Sequence, residues 1–424
     1  MATGLRVVRL DEPSRRYFDE KHYVDDSEDY LDRGVETDRP AHPPAGKWLM
    51  AASQGVAGRG PWGWRLASAV AGVATVLATY LIGRRLFRPR WAGALAALLV
   101  AVDGLALTMS RIAMLDGILA GFVAVGALFA SRDTAVAHRR WRWTAGAALG
   151  VALSIKWSGG FALLAAIALA VAVDRARHRR GETGWPRALA VDTLLPLVVL
   201  PAVIYLASYA GWFANVDRTE TARERCPDGC SITDVASGWA FEQWDMWDLQ
   251  RRLDPTHPDR SSPDAWLTLS HPVLYYAEGC GPDPSPADGC AVAPGTQARI
   301  VGVGNPALWW PALAAYPLVL WAAIRRRDPQ AGFIVAFLAA QLLPWFASWK
   351  PGFTFYMTPV VPFVALALVH ALVGASDRWP KSRVVPAAVA IAALGVAVHL
   401  YPIWTGLELS RSSLDARLWF DGWR

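Results

Sequence analysis

Apolar residues along this chain gather into stretches of about 17–25 positions, long enough to cross roughly 30 Å of hydrocarbon as helices. Backbone polar groups find no partner in lipid, so each stretch must satisfy its own hydrogen bonds as a helix. The pattern predicts ten spans, at 62–83, 91–108, 112–130, 142–156, 158–173, 188–212, 306–324, 330–347, 355–374 and 385–404. The fourth and fifth are short, and a tilt or break is expected near Gly159-Gly160. The fold class is therefore all-α and polytopic in a membrane.

Polar linkers alternate in charge. Arg84, Arg85, Arg88 and Arg90 follow the first span, and Arg132, Arg139, Arg140 and Arg142 follow the third. Arg175, Arg177, Arg179 and Arg180 follow the fifth, Arg325 to Arg327 the seventh, and Arg378, Lys381 and Arg383 the ninth. The positive-inside rule sends these linkers to the cytoplasm. The others are then extracytoplasmic: 1–61, the Arg111, Lys156 and Lys350 turns, the 213–305 loop and the 405–424 tail. Transmembrane segments fill 62–212 and 306–404. This orientation leaves an external N-terminal region with no span before it. Met1 to Leu10 reads as the last turns of a helix absent from this chain, and a further N-terminal span is expected.

Composition narrows the picture. Of 424 residues, 54% are hydrophobic and 18% charged, and the 22 tryptophans suit interfacial belts. A net charge of +6 would fit a nucleic-acid binder, but the basic residues lie in linker clusters and form no stripe, so no nucleic acid is expected. The high Ala, Arg, Trp and Gly content has the look of a high-GC bacterium. Cys226, Cys230, Cys280 and Cys290 all fall in the 213–305 loop, outside the reducing cytoplasm. Four cysteines allow three pairings; the local pairs 226–230 and 280–290 are expected. Zinc is the competing reading, although no pair has Cys-x-x-Cys spacing.

The chemistry-bearing segments lie on the predicted external side. Phe18-Asp19-Glu20-Lys21-His22-Tyr23 sits in an acid-rich region that would otherwise read as a solvated loop. His42-Pro43-Pro44-Ala45-Gly46-Lys47 follows, its prolines fixing how the chain enters the membrane. Trp64-Arg65 opens a span. Further on stand Val102-Asp103-Gly104-Leu105, Arg111-Ile112-Ala113-Met114-Leu115-Asp116, Lys156-Trp157-Ser158-Gly159, Pro344-Trp345 and Phe355-Tyr356-Met357. In this order, over nearly the whole chain, these segments resemble the protein O-mannosyltransferases. The resemblance implies the GT-C fold, eleven spans, a lipid-linked mannose donor and Ser/Thr acceptors. The 213–305 loop is too short for the β-trefoil domain of eukaryotic members, so the resemblance is to a bacterial one.

Transfer of that kind sets requirements. A hydroxyl attacking the sugar C1 needs a general base, because it is hardly ionised at neutral pH. A carboxylate beside C1 also stabilises an oxocarbenium-like transition state. The leaving polyprenyl phosphate is already a stable anion, so it needs cations and no acid. Asp19 is the first choice for the base and Glu20 the second. Arg111 is the first choice for the donor phosphate, with Lys156 and Lys350 joining it or serving as snorkelling anchors. Asp116 is read as orienting Arg111 or contacting sugar or acceptor, since a lone acid near a span is usually paired. Asp103 is read as a structural cap. His42 and Lys47 position the first loop or touch the acceptor, and Tyr356 lines the donor pocket or belongs to an aromatic belt. No Asp-x-Asp or His-rich cluster appears, so no metal or other cofactor is expected.

Expected partners are the bilayer, the lipid-linked sugar donor, Ser/Thr-containing secreted proteins and the protein translocon. The expected location is a bacterial plasma membrane, with the site facing outward. Two other functions compete: transfer of a different lipid-linked sugar, such as arabinose, to a glycan or lipid, and transport of a lipid-linked sugar. A carrier exposes its site to both sides in turn; ionisable residues gathered at one face favour an enzyme.

Overall fold

The structure is a computed structural model that describes residues 1–38, 40–135, 140–181, 190–252, 256–281, 291–348 and 352–424. Among them, eight helices are long and apolar enough to cross a membrane: Pro61–Leu86, Leu115–Asp133, Gly159–Arg179, Val191–Ser208, Pro306–Arg325, Pro329–Phe346, Thr354–Arg378 and Lys381–Thr405. The other two predicted spans are shorter. The stretch at 91–108 is divided into Arg90–Ala101 and Gly104–Met109, because Asp103 leaves the helical conformation to cap the second piece. The stretch at 142–156 forms a helix of 16 residues, Arg140–Ile155, and the expected break falls at Lys156–Ser158.

In order along the chain, α1 is Ala2–Val7, α2 Glu20–Arg33, α3 Ala45–Ala57 and α4 Pro61–Leu86. Then come α5 (Arg90–Ala101), α6 (Gly104–Met109), α7 (Leu115–Ala135), α8 (Arg140–Ile155) and α9 (Gly159–Arg179). A π-helical segment, Ala190–Val199, leads into α10, Leu200–Ser208. Beyond it lie α11 (Ile232–Arg252), α12 (Pro306–Arg325), α13 (Pro329–Phe346), α14 (Val361–Arg378) and α15 (Val385–Thr405).

Burial orders the bundle. In Leu115–Asp133 and Thr354–Arg378, 78% of the most apolar stretch is buried inside the protein, against 28% in Val191–Ser208 and 17% in Lys381–Thr405. The first pair is the centre; the second pair turns apolar side chains to lipid. Within lipid, helices associate by close packing, which small residues permit. A Cβ on Gly121 of α7 would lie 3.0 Å from the Ala71 backbone of α4. A Cβ on Gly146 of α8 would meet the Pro196 carbonyl at 1.7 Å, so only glycine admits the π-helical segment there.

The 213–305 region is more than a loop. Besides α11 it holds strands β1 (Val273–Gly279) and β2 (Thr296–Gly302), antiparallel, with the short β3 (Leu409–Ser410) on the other edge of β2. Cys226 and Cys230 are joined as expected. Cys280 follows β1; Cys290, its expected partner, lies outside the described residues.

At the N-terminus, α1 packs on α4, and the buried Arg6 donates to Ser110 Oγ at 3.2 Å. Glu20 Oε1 accepts the N–H of Ala113 at 2.8 Å, so the Asp19 and Arg111 turns lie at one end of the bundle.

Candidate active site

The adjacent acids Asp19 and Glu20 have opposite surroundings. Glu20 opens α2 and is fully buried. Arg65, in the first turns of α4 and equally buried, grips it with two parallel bonds, Nε to Oε1 at 2.8 Å and Nη2 to Oε2 at 2.9 Å. Arg65 also donates to the carbonyls of Leu10, Pro13 and Arg15. A buried carboxylate paired in this bidentate way is held as an anion and shaped as a strut. Both Glu20 oxygens are thus occupied by Arg65, unlike the carboxylate of its neighbour Asp19.

Asp19 is the residue before α2, half-buried, and its side chain makes no capping bond to the helix. Its carboxylate carries no hydrogen bond or ion pair among the described residues. Burial pushes the Asp19 carboxyl above the ordinary aspartate value, and the charge of Asp116 pushes the same way; Lys156, His22 and His257 oppose them. This is the environment of a strengthened base: close to one ammonium, partly dehydrated, and unsatisfied.

The neighbouring ion pair fixes the cation. Lys156 Nζ, in the turn between α8 and α9, donates to both carboxylate oxygens of Asp116, at 3.0 and 2.9 Å. It also lies 5.3 Å from the Phe355 ring centre and 5.0 Å from that of Tyr356. Asp116 is thus partnered with Lys156, and the expected link to Arg111 is not made. Tyr23, Tyr275 and Tyr356 lie within electrostatic reach of both Asp19 and Asp116.

Aromatic rings wall this cluster. Phe18 meets Tyr275 of β1 edge-on at 5.0 Å, Phe355 at 6.2 Å and His257 at 6.3 Å. Tyr356 stacks on Trp345 at 4.2 Å and meets Trp266 edge-on. Beside these rings is a cavity of about 650 Å³, lined by His257, Arg260, Ser261, Trp266, Trp345 and Ser348 among others.

The remaining expected residues sort as follows. The Arg111 guanidinium is spent on the N-terminal segment, donating to the carbonyls of Leu5, Val8 and Arg9 at 2.8–3.0 Å. A phosphate bound there would have to compete with those carbonyls. Lys47, fully buried, pairs with Glu36 and, at 3.3 Å, with Asp26, tying α3 to α2. The His42 ring lies 6.1 Å from Tyr23. Asp103 caps α6 and accepts from Asn305 N and Trp309 Nε1, each at 2.8 Å. Lys350 lies outside the described residues.

Sequence reasoning missed the roles of Arg65, Phe18, His257 and Tyr275. One signal was present: Arg65 stands alone among apolar residues at the head of a span, where a cation demands a partner. Nothing in the sequence announced that β1 would bring Tyr275 to the site.

Residues 53–214 match the family model described as dolichyl-phosphate-mannose-protein mannosyltransferase. Residues 236–423 match the C-terminal four-helix transmembrane region of protein O-mannosyltransferase. The chain is 31% identical to the polyprenol-phosphate-mannose–protein mannosyltransferase of Mycobacterium tuberculosis, over 99% of this chain and 89% of that one. It is 30% identical to the protein of the same name from Mycolicibacterium smegmatis, over 100% and 91%. The solved S. cerevisiae protein O-mannosyltransferase Pmt1-Pmt2 complex, bound to the sugar donor, superposes with a TM-score of 0.84 at 14% identity, covering 100% of this chain and 91% of that one. ArnT from Cupriavidus metallidurans in the apo state gives 0.60 at 17%, covering 96% and 75%. The superpositions show the GT-C fold. The two family models together take in most of the sequence, and with relatives this similar along its whole length the chain belongs to the protein O-mannosyltransferase family.

Proposed function

We propose that this membrane protein transfers mannose from polyprenyl-phosphate-mannose to Ser/Thr hydroxyls of proteins, at the extracytoplasmic face of a bacterial plasma membrane, with Asp19 as the general base. One observation carries the reading. Within electrostatic reach of the Lys156–Asp116 pair, Asp19 presents a carboxylate with no hydrogen-bond partner among the described residues, while the adjacent Glu20 is bound by Arg65. The mannose donor and the protein acceptor are those in the names of the relatives.

In the proposed step the acceptor oxygen attacks C1 of the sugar. The C1–O bond to phosphate breaks, polyprenyl phosphate departs with the electron pair, and the hydroxyl proton passes to Asp19. A single displacement inverts C1. The Asp19 carboxylate also stabilises positive charge developing on the sugar. Lys156, anchored by Asp116, supplies a cation within electrostatic reach of this base, and Arg111, bound to carbonyls, has no part. The cavity lined by His257, Arg260, Trp266 and Trp345 would take the phosphosugar, with the rings stacking on its apolar faces. An acceptor arriving unfolded from the protein translocon would offer its hydroxyls to this face before folding.

The test uses the purified full chain in a bilayer, a Ser/Thr peptide and radiolabelled polyprenyl phosphate sugars. Mannose should appear on the peptide, and Asp19→Asn should abolish most of the transfer. Transfer of another sugar but not mannose, or full activity in Asp19→Asn, would overturn the reading.

A further inference from the structure

A second built cavity lies at the far end of the bundle. From Arg65, α4 runs away from Asp19; its 26 residues cover about 39 Å before the chain turns at Pro89 into α5. There a cavity of about 650 Å³ opens between α5 and the facing ends of α14 and α15. Its walls are apolar, with Trp91, Leu95 and Leu98 on one side and Pro386, Ala387 and Ala390 on the other. Its mouth is polar, formed by Ser376, Asp377 and Arg383.

The mouth is unsatisfied. Ser376 is 9% exposed, and its Oγ has no hydrogen-bond partner. A buried hydroxyl in that state is uncommon, since most such groups find a partner. Asp377 and Arg383 are exposed and carry no ion pair or hydrogen bond among the described residues. The adjacent Arg378, by contrast, lies over the Trp379 ring.

We propose that this groove binds one glycerophospholipid with an amine headgroup, drawn from the leaflet at this end. The lipid phosphate pairs with Arg383 and accepts the Ser376 hydroxyl. Its ammonium faces Asp377, and an acyl chain lies along the apolar walls. Charge complementarity selects this occupant. An anionic headgroup without an amine would meet Arg383 equally well but would bring no ammonium to face Asp377. The site is separate from the catalytic cluster and takes no part in sugar transfer.

Native mass spectrometry of the full chain in mild detergent tests this, with phosphatidylethanolamine, phosphatidylglycerol and undecaprenyl phosphate added singly. Wild type should retain one phosphatidylethanolamine in preference to the others. Arg383→Gln should weaken its binding roughly fivefold, the loss expected for one basic residue near a lipid phosphate. Asp377→Asn should remove the preference over phosphatidylglycerol. Ala390→Trp, filling the groove, should exclude the lipid while elution volume and melting temperature without added lipid stay unchanged. Equal retention of all three lipids by wild type, or binding indifferent to Arg383→Gln and Ala390→Trp, would overturn the proposal. So would a dimer that Ala390→Trp dissociates without changing lipid retention, since protein would then be the occupant.

Discussion

Two buried ion clusters at opposite ends of the bundle contain the same ingredients, one cation and two aspartates, yet close differently. At the end away from Asp19, Arg142 of α8 donates to Asp133 at 2.8 Å and to both oxygens of Asp174 at 2.6 and 2.7 Å. Thr193 donates to Asp174 as well, at 2.8 Å. Both carboxylates are engaged, and the cluster pins α7, α8, α9 and the π-helical segment together. At the other end, Lys156 gives its bonds to Asp116, and Asp19 is left over. The cluster in which both carboxylates meet the cation is architecture, although Asp133 Oδ1 accepts no hydrogen bond. In the other, the aspartate outside the cation's bonds is the one proposed as the base.

That contrast can be broken from either side. The largest effect should come from Arg142→Met, which leaves two aspartates buried without their cation. Breaking such a cluster costs about 3–5 kcal/mol of stability; the melting temperature should fall steeply, while transfer per folded molecule persists. If stability is untouched, the cluster is not the clamp described. Asp19→Asn should behave in reverse. The transfer rate should fall by roughly 10²-fold or more, the scale of a lost general base. Because burial works against the ionised Asp19, its neutral replacement should unfold no earlier than wild type.

Glu20→Gln is expected to fall between them. It keeps the shape but weakens the grip of Arg65, so roughly tenfold lower activity should accompany a loss of about 1–3 kcal/mol, the range for a weakened charge-assisted bond. Full activity in the glutamine variant would show that the strut is not needed to aim Asp19. The smallest effect is in the pH profile. Transfer requires Asp19 ionised, and its carboxyl is raised above the ordinary aspartate value, chiefly by burial. Activity should therefore fall with decreasing pH through that raised value. Lys156 opposes the rise, so Lys156→Gln should move the acid limb of kcat/KM to still higher pH. A limb that moves to lower pH would contradict the arrangement.

How far the sequence led is clearest at single residues. Apolar lengths marked the spans, since hydrocarbon thickness acts locally on each stretch. They failed at 91–108, where the polar cap at Asp103 depends on Asn305 and Trp309, some 200 positions away in sequence. The Asp19-Glu20 pair was visible; which acid was free was not, because the answer sits at Arg65, 45 positions on. Arg111 shows the same limit, its charge taken by carbonyls that carry no sequence mark. The pairing of Cys226 with Cys230 was legible because it is local. The β1–β2 hairpin that delivers Tyr275 was not, its strands being separated by a polar stretch with no alternating signal.

Arg65 has one more consequence. By holding Glu20 and three carbonyls of the preceding segment, it references Asp19, the proposed base, to a helix embedded in the bilayer, and not to the aqueous surface around it. Substitutions on that surface can therefore accumulate, reshaping which polypeptides are accepted, without disturbing the alignment of the base. Catalytic geometry and acceptor choice become separately heritable traits of one chain.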